Sequence, residues 1–161
     1  MKIVIIRKVL EKDNLRLAEV IRQVLIDIGV PKVGTAYADP ELDYLYQNYS
    51  KERSSYFVLE QDGIVIGGAG IAPLNGGDSD VCELQKMYFL EEARGKGLGE
   101  QMMDHCIKFA KSQGFELCYL ETLSSMKSAQ KLYLKKDFRY IDESMGNTGH
   151  TSCNVWLLKK L

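Results

Sequence analysis

The chain has 161 residues, 45% of them hydrophobic and 27% charged, a length that fits one domain with a core of its own. Lysine and arginine number 21 against 22 aspartate and glutamate, and the formal net charge of −1 argues against broad electrostatic binding to nucleic acid or to an anionic membrane. No apolar run approaches the length of a membrane span, and the N-terminus lacks the hydrophobic region and cleavage site of a secretory signal. Cys82, Cys106, Cys118 and Cys153 show neither C-x-x-C pairing nor histidines at zinc-ligand spacing. The expectation is a cytoplasmic protein with reduced core thiols and no metal.

Residues 1–7 hold a short apolar run that reads as a strand. From Asp13, a good N-cap type, the residues Leu15, Ala18, Ile21, Leu25 and Ile28 describe a helical stripe that stops at Gly29, with Pro31 beyond. Residues 34–37 form a loop, and a short helix over 40–49 begins after Asp39 with Leu42, Leu45 and Tyr46 inward. Tyr37, Tyr44, Tyr46 and Tyr49 are either pocket residues or ordinary packing. Residues 55–61 and 64–72 flank Asp62-Gly63, a hairpin signal, so they pair antiparallel. Gly67, Gly68 and Gly70 weaken the second of these strands and leave room for another group to pack closely. Residues 74–80, with Asn75-Gly76-Gly77-Asp78, form a loop.

The most informative stretch follows. Residues 81–90 are strand-like, Arg94-Gly95-Lys96-Gly97-Leu98-Gly99 comes next, and Leu98, Met102, Met103, Cys106, Ile107 and Ala110 then mark an amphipathic helix ending near Gly114. The first turn of a helix has backbone N–H groups without intrahelical partners and a partial positive charge. Glycines there let anionic oxygens approach the amides, while Arg94 and Lys96 add formal charge, so the turn is a candidate phosphate cradle. It is not a Walker loop, because Glu100-Gln101 stand where the lysine and hydroxyl would follow Gly99. A dinucleotide fingerprint is nearer, with Glu121 at the place of a ribose-binding acid, but the glycine spacing is G-x-G-x-G. Residues 115–120 form a second buried strand, parallel to 81–90 through the helical crossover. Ser124 or Ser125 then caps a helix carrying Met126, Ala129, Leu132 and Tyr133 on one face. Residues 138–141 and 153–158 make a final strand pair around a loop that contains His150, a secondary site candidate.

Arg94, Gly97 and Gly99 fill the pattern Arg/Gln-x-x-Gly-x-Gly/Ala without a gap; Glu-Leu-Gln-Lys-Met-Tyr-Phe at 83–89 precedes it, and Ala129, Leu132, Tyr133, Lys135 and Phe138 follow in a matching later element. Together these resemble the GNAT superfamily of acyl-CoA-dependent N-acyltransferases, over roughly residues 81–140. The resemblance implies an α/β fold in a single domain, 1–161, with a mixed, mostly antiparallel sheet whose central parallel strand pair splays apart and is flanked by helices. It implies acetyl-CoA as co-substrate, bound by Met87, Tyr88, Phe89, Arg94, Gly95, Lys96, Gly97, Leu98 and Gly99. It nominates Glu83 as general base, with Asp80 a lesser rival, and Tyr133 as proton donor to the departing thiolate; a backbone N–H near Met87 or Tyr88 would polarise the thioester carbonyl. The implied reaction is direct attack by a primary amine of a small molecule or peptide in a ternary complex, with homodimerisation left open. A non-catalytic acyl-CoA-binding sensor or interaction module is the alternative. Two departures from the family pattern stand out: Asp137 replaces the glycine before Phe138, and Met126 stands where an asparagine is often found.

Overall fold

In the computed structural model, which describes residues 1–161, seven strands form one sheet: β1 (Val4–Lys8), β2 (Ser55–Gln61), β3 (Ile64–Pro73), β4 (Val81–Phe89), β5 (Leu117–Thr122), β6 (Arg139–Ile141) and β7 (Val155–Lys160). Their spatial order is β1-β2-β3-β4-β5-β7-β6, and every neighbouring pair is antiparallel except β4 and β5. The helices are α1 (Asn14–Asp27), α2 (Leu45–Asn48), α3 (Leu98–Ser112) and α4 (Lys127–Lys135). None is long and apolar enough to cross a membrane.

Strand alternation and helix stripes sort the core into layers. On one face Met102, Met103, Cys106 and Ala110 of α3 pack with Phe57, Leu59, Ile66 and Ile71, joined by Tyr133 and Phe138. On the other face Leu17, Ile21 and Leu25 of α1 meet Leu42, Leu45, Tyr49, Tyr56 and Val58. Three local details differ from the sequence expectation. Asp13 does not cap α1 with its side chain; the carboxylate is buried against Arg7 and accepts the Leu10 N–H, so tertiary pairing takes precedence over capping. Leu15 and Tyr46 are exposed, because the buried stripe of α1 runs through Leu17, Val20 and Val24, and the 40–49 segment is a 3-10 turn (Pro40–Tyr44) followed by α2, which rotates Tyr46 outward. Neither Ser124 nor Ser125 caps α4, whose N-cap position is Met126.

The site is shaped by an irregularity in β4. Against β3, Gly68 faces Tyr88 and Gly70 faces Gln85, so β4 carries one extra residue there, and Lys86 adopts the left-handed region at φ 49. Cys82 and Leu84 pack toward α3; a strict alternation would send residues 86 and 88 with them, yet Met87 and Phe89 go there instead and Tyr88 packs with the α1 layer. The extra residue bends β4 away from β5, and the parallel pairing stops after Val81, Cys82 and Glu83 meet Leu117, Cys118 and Tyr119.

Gly68 and Gly70 sit beneath this bulge. A Cβ on Gly68 would lie 2.5 Å from the Tyr56 ring, and one on Gly70 would lie 2.8 Å from both Tyr49 and Tyr56. The tyrosine rings therefore cross β3 over bare backbone. Tyr56 reaches the bulge, donating its hydroxyl to the Lys86 carbonyl at 2.8 Å, and its ring lies 5.2 Å from that of Tyr49.

Candidate active site

Two hollows meet where β4 and β5 separate. The larger is a groove of about 690 Å³ walled by the end of β4, the glycine turn and the start of α4. Gly95 and Gly97 both have φ 73, and a Cβ on either would meet nothing, so these two are needed for their left-handed backbone and not for clearance. Gly97 is the N-cap residue of α3; its carbonyl accepts the first bond of the helix from the Gln101 N–H, which leaves the N–H groups of the first turn facing outward. Gly99 comes within 3.4 Å of the Leu132 side chain, by its virtual Cβ, where α3 approaches α4.

Met87, Tyr88, Phe89, Arg94, Gly95, Gly97, Leu98 and Gly99 all line this groove, while Lys96 does not. Arg94 points its guanidinium at the Phe89 carbonyl, at 3.0 and 3.2 Å, and so ties the turn to the end of β4. The acid in the first turn of α3, Glu100, is paired with Lys135 and Lys136, so it does not stand as a free negative charge beside the cradle. Ser125, Lys127 and Ser128 also line the groove. Sequence reading passed over them, although a helix start facing the glycine turn was the available signal.

The second hollow is a cavity of about 50 Å³ between the α1 side of β4 and the β6–β7 loop. Its charged lining comprises Glu83, Lys86, Glu121 and His150. Met87, Tyr88, Met126 and Tyr133 line both hollows and mark their junction.

Glu83 is only 5% exposed. Burial pushes its carboxyl up to about 7 in spite of the hydrogen bond from Gln85 Nε2 at 2.6 Å. Gln85 in turn accepts the Tyr49 hydroxyl at 2.5 Å, so a chain of bonds running from α2 over Gly70 orients the Glu83 carboxylate. Of the four tyrosines weighed as pocket residues, Tyr49 alone joins this chain; Tyr44 and Tyr46 are exposed. Asp80 lies outside both linings, its carbonyl accepting the Glu116 and Leu117 N–H groups.

Tyr133 is buried in α4 with its ring 6.1 Å from that of Phe138, and its hydroxyl makes no hydrogen bond within the protein. Burial pushes that phenol up to about 12, so it stays protonated at neutral pH. Asp137 holds the tight turn before Phe138 at φ 69, taking the left-handed conformation in place of the expected glycine.

His150 is half-buried and hydrogen-bonded, with Nε2 2.9 Å from Asp39 Oδ2 and 3.2 Å from Oδ1. That bond raises the imidazole above its usual value, against the opposing effect of burial. Lys86 Nζ lies 3.3 Å from the same Asp39 oxygen. Burial alone would raise Asp39, but the hydrogen bond from His150 and the charge of Lys86 hold it below its ordinary value. Neither Asp39 nor Lys86 stood out in the sequence; Asp39 lies in the segment before α2 and Lys86 at the bulge of β4, with α2, β2 and β3 between them in the chain. Glu121 accepts the Tyr119 hydroxyl at 2.6 Å and the Thr148 hydroxyl, on the cavity side of the sheet and away from the glycine turn, which removes it as a ribose-binding acid. Three cysteines are buried and unpaired as expected, while Cys153 borders the cavity. No three His, Cys, Asp or Glu side chains cluster as metal ligands.

A sheet with one parallel pair opened by a bulge, followed by a glycine turn at a helix N-terminus, is the architecture of acyl-CoA acyltransferases, and the sequence model of the acetyltransferase (GNAT) family matches residues 22–138. The chain belongs to that family. It is 46% identical over 158 residues to the uncharacterized N-acetyltransferase YjgM of Escherichia coli, covering 98% of this chain and 95% of that protein. Among solved structures, an acetyltransferase of the GNAT family from Staphylococcus aureus superposes with a TM-score of 0.87 at 21% identity, covering 98% of this chain and 99% of that one. The paia N-acetyltransferase of Thermoplasma acidophilum, in complex with coenzyme A, gives a TM-score of 0.74 at 19% identity, with 99% of each chain covered. The protein is thus an N-acetyltransferase of the GNAT family.

Proposed function

We propose that the chain, acting as one domain over residues 1–161, transfers an acetyl group from acetyl-CoA to a primary amine by direct attack in a ternary complex. The observation that carries this reading is that a buried carboxyl pushed up to about 7, Glu83, shares the cavity lining with a protonated phenol, Tyr133, which also lines the groove. Acetyl-CoA supplies the activated acetyl group. The N–H groups that start α3 and the backbone at Gly95 and Gly97 suit its pyrophosphate, since the left-handed glycines turn that backbone outward at the mouth of the groove.

A primary amine is mostly protonated at neutral pH, so the acceptor must lose a proton before its nitrogen can attack. Glu83 takes that proton, directly or through water, and a carboxyl titrating near the operating pH is matched to the task. As the C–N bond forms and the C–S bond breaks, the sulfur keeps the bonding electrons and Tyr133 gives it a proton; the acetylated nitrogen then sheds its remaining extra proton, which restores the Tyr133 phenol through solvent, and Glu83 releases the first proton to water. Tyr133 is oriented for this by α4 packing and retains its proton at working pH.

The test is release of free CoA thiol across a panel of polyamines, amino acids, aminoglycosides and peptide lysines, with kcat/KM followed against pH. Turnover with at least one amine, rising through an apparent pKa near 7, supports the reading. Saturable acetyl-CoA binding with no thiol release from any amine would favour the sensor alternative.

A further inference from the structure

Lys86 is the least explained charge in the molecule. Its side chain is only 4% exposed, it lines the cavity, and its one partner is Asp39 at 3.3 Å. An ammonium group has three N–H donors, and the Asp39 carboxylate is the one protein partner that Lys86 Nζ has. Asp39 is engaged more closely by His150, at 2.9 Å, and does not itself line the cavity. It stands behind both side chains. A largely buried ammonium with a single partner is costly, and a carboxylate entering the cavity would complete its shell.

On the same cavity wall stands Glu83, three positions earlier in β4, close enough for Lys86 to act on its charge. The remaining acid in the lining, Glu121, already accepts two hydroxyl protons. The cavity is thus bipolar, with a proton acceptor for an amine at one place and an unfilled cationic donor at another. At about 50 Å³ it has room for only a few water molecules, and a water needs about 10–15 Å³ by the same measure, which favours a compact ligand over a peptide or a polyamine chain.

We propose that the acceptor is a small zwitterion of the α-amino acid type, whose amine faces Glu83 while its carboxylate binds Lys86, with the His150 imidazole as a second neighbour. This deepens the acetyltransferase reading and rests on it. Lys86 is then a specificity-determining residue that takes no part in proton transfer.

The experiment compares, on the unaltered protein, thiol release with three matched acceptors: a small amino acid such as serine, its amide, and the decarboxylated amine ethanolamine. A charge-assisted contact of this kind predicts kcat/KM about tenfold to a hundredfold higher for the amino acid, expressed chiefly in KM. The amide has the more readily deprotonated amine, so any bias runs against this result. In Lys86→Met the preference should collapse toward unity; the wild-type series decides the question alone if that variant does not fold. Equal or better turnover of the amide or ethanolamine overturns the proposal, as does a preference that survives Lys86→Met. Turnover of spermidine or a blocked lysine peptide without turnover of amino acids removes this inference and leaves the acetyltransferase reading standing. Thiol release from no amine at all removes both.

Discussion

The groove and the cavity share four residues at their junction, yet they are built in different ways. The groove is local: Met87 to Gly99 are contiguous, and their geometry follows from a strand end, two left-handed glycines and a helix start. The cavity is assembled from distant pieces, with Glu83 and Lys86 from β4, Glu121 from β5 and His150 from the loop before β7, and with Asp39 standing behind Lys86 and His150. The groove presents backbone N–H groups and few charges of its own; the cavity concentrates buried ionisable side chains, whose energies depend on one another. A generic donor is suited to the first construction, and a particular acceptor to the second.

The sharpest way to separate the two is at their junction. Tyr133→Phe removes one hydroxyl and almost no volume, so kcat should fall about 10²–10⁴-fold, the usual range for loss of a general acid, while calorimetry finds acetyl-CoA affinity nearly unchanged. Parent-rate turnover would show that water, and not Tyr133, protonates the thiolate.

Next in size is a stability effect confined to the cavity. The folded state holds the Glu83 proton more tightly than the unfolded chain does, since its carboxyl lies near 7 against an ordinary 4.5. Stability is therefore lost as pH rises from about 4.5 through 7, by up to about 3 kcal/mol at neutral pH. Glu83→Gln should lower the rate at neutral pH, with partial recovery at high pH, and should raise stability to urea at pH 7 with no such gain at pH 4. A variant that loses activity without gaining stability would mean that Glu83 is solvated in solution.

Gly70→Ala tests the scaffold beneath the cavity. Its Cβ would lie 2.8 Å from two tyrosine rings, and overpacking of this kind costs about 1–3 kcal/mol, with kcat reduced more than acetyl-CoA affinity because Tyr49 orients Gln85 and Glu83. Smallest is Gly97→Asp, at a φ of 73 with no steric contact; backbone strain and a misplaced negative charge should weaken acetyl-CoA binding about tenfold by calorimetry.

Local construction was also what made the groove legible. The glycine turn, the strand before it and the α3 stripe lie within a few residues of one another, and their order alone predicted the strand, turn and helix start that wall the groove. Glu83 and Tyr133 were nominated by resemblance, and what the sequence did not contain was their setting: nothing near residue 83 announces the chain through Gln85 to Tyr49. Gly67, Gly68 and Gly70 signalled that something packs closely on β3, but the rings that do so come from the end of β4 over Gly67, and from β2 and the end of α2 over Gly68 and Gly70. Lys86 read as one more polar residue in an alternating strand because a bulge leaves no mark in composition. Asp39 read as a helix start, a role its neighbours Pro40 and Leu42 made plausible, and its bond to His150 spans most of the chain.

The bulge has one more consequence. Because Lys86 is the supernumerary residue, Met87 and Phe89 already face the layer they would occupy in a regular strand that lacked it. Excising this one position would leave the hydrophobic inventory, the glycine turn and every helix in register, while straightening β4 against β5 and taking away the ammonium. The sheet and its notch are therefore separable: the scaffold needs only the regular alternation, and one supernumerary residue converts a continuous barrier into an opening.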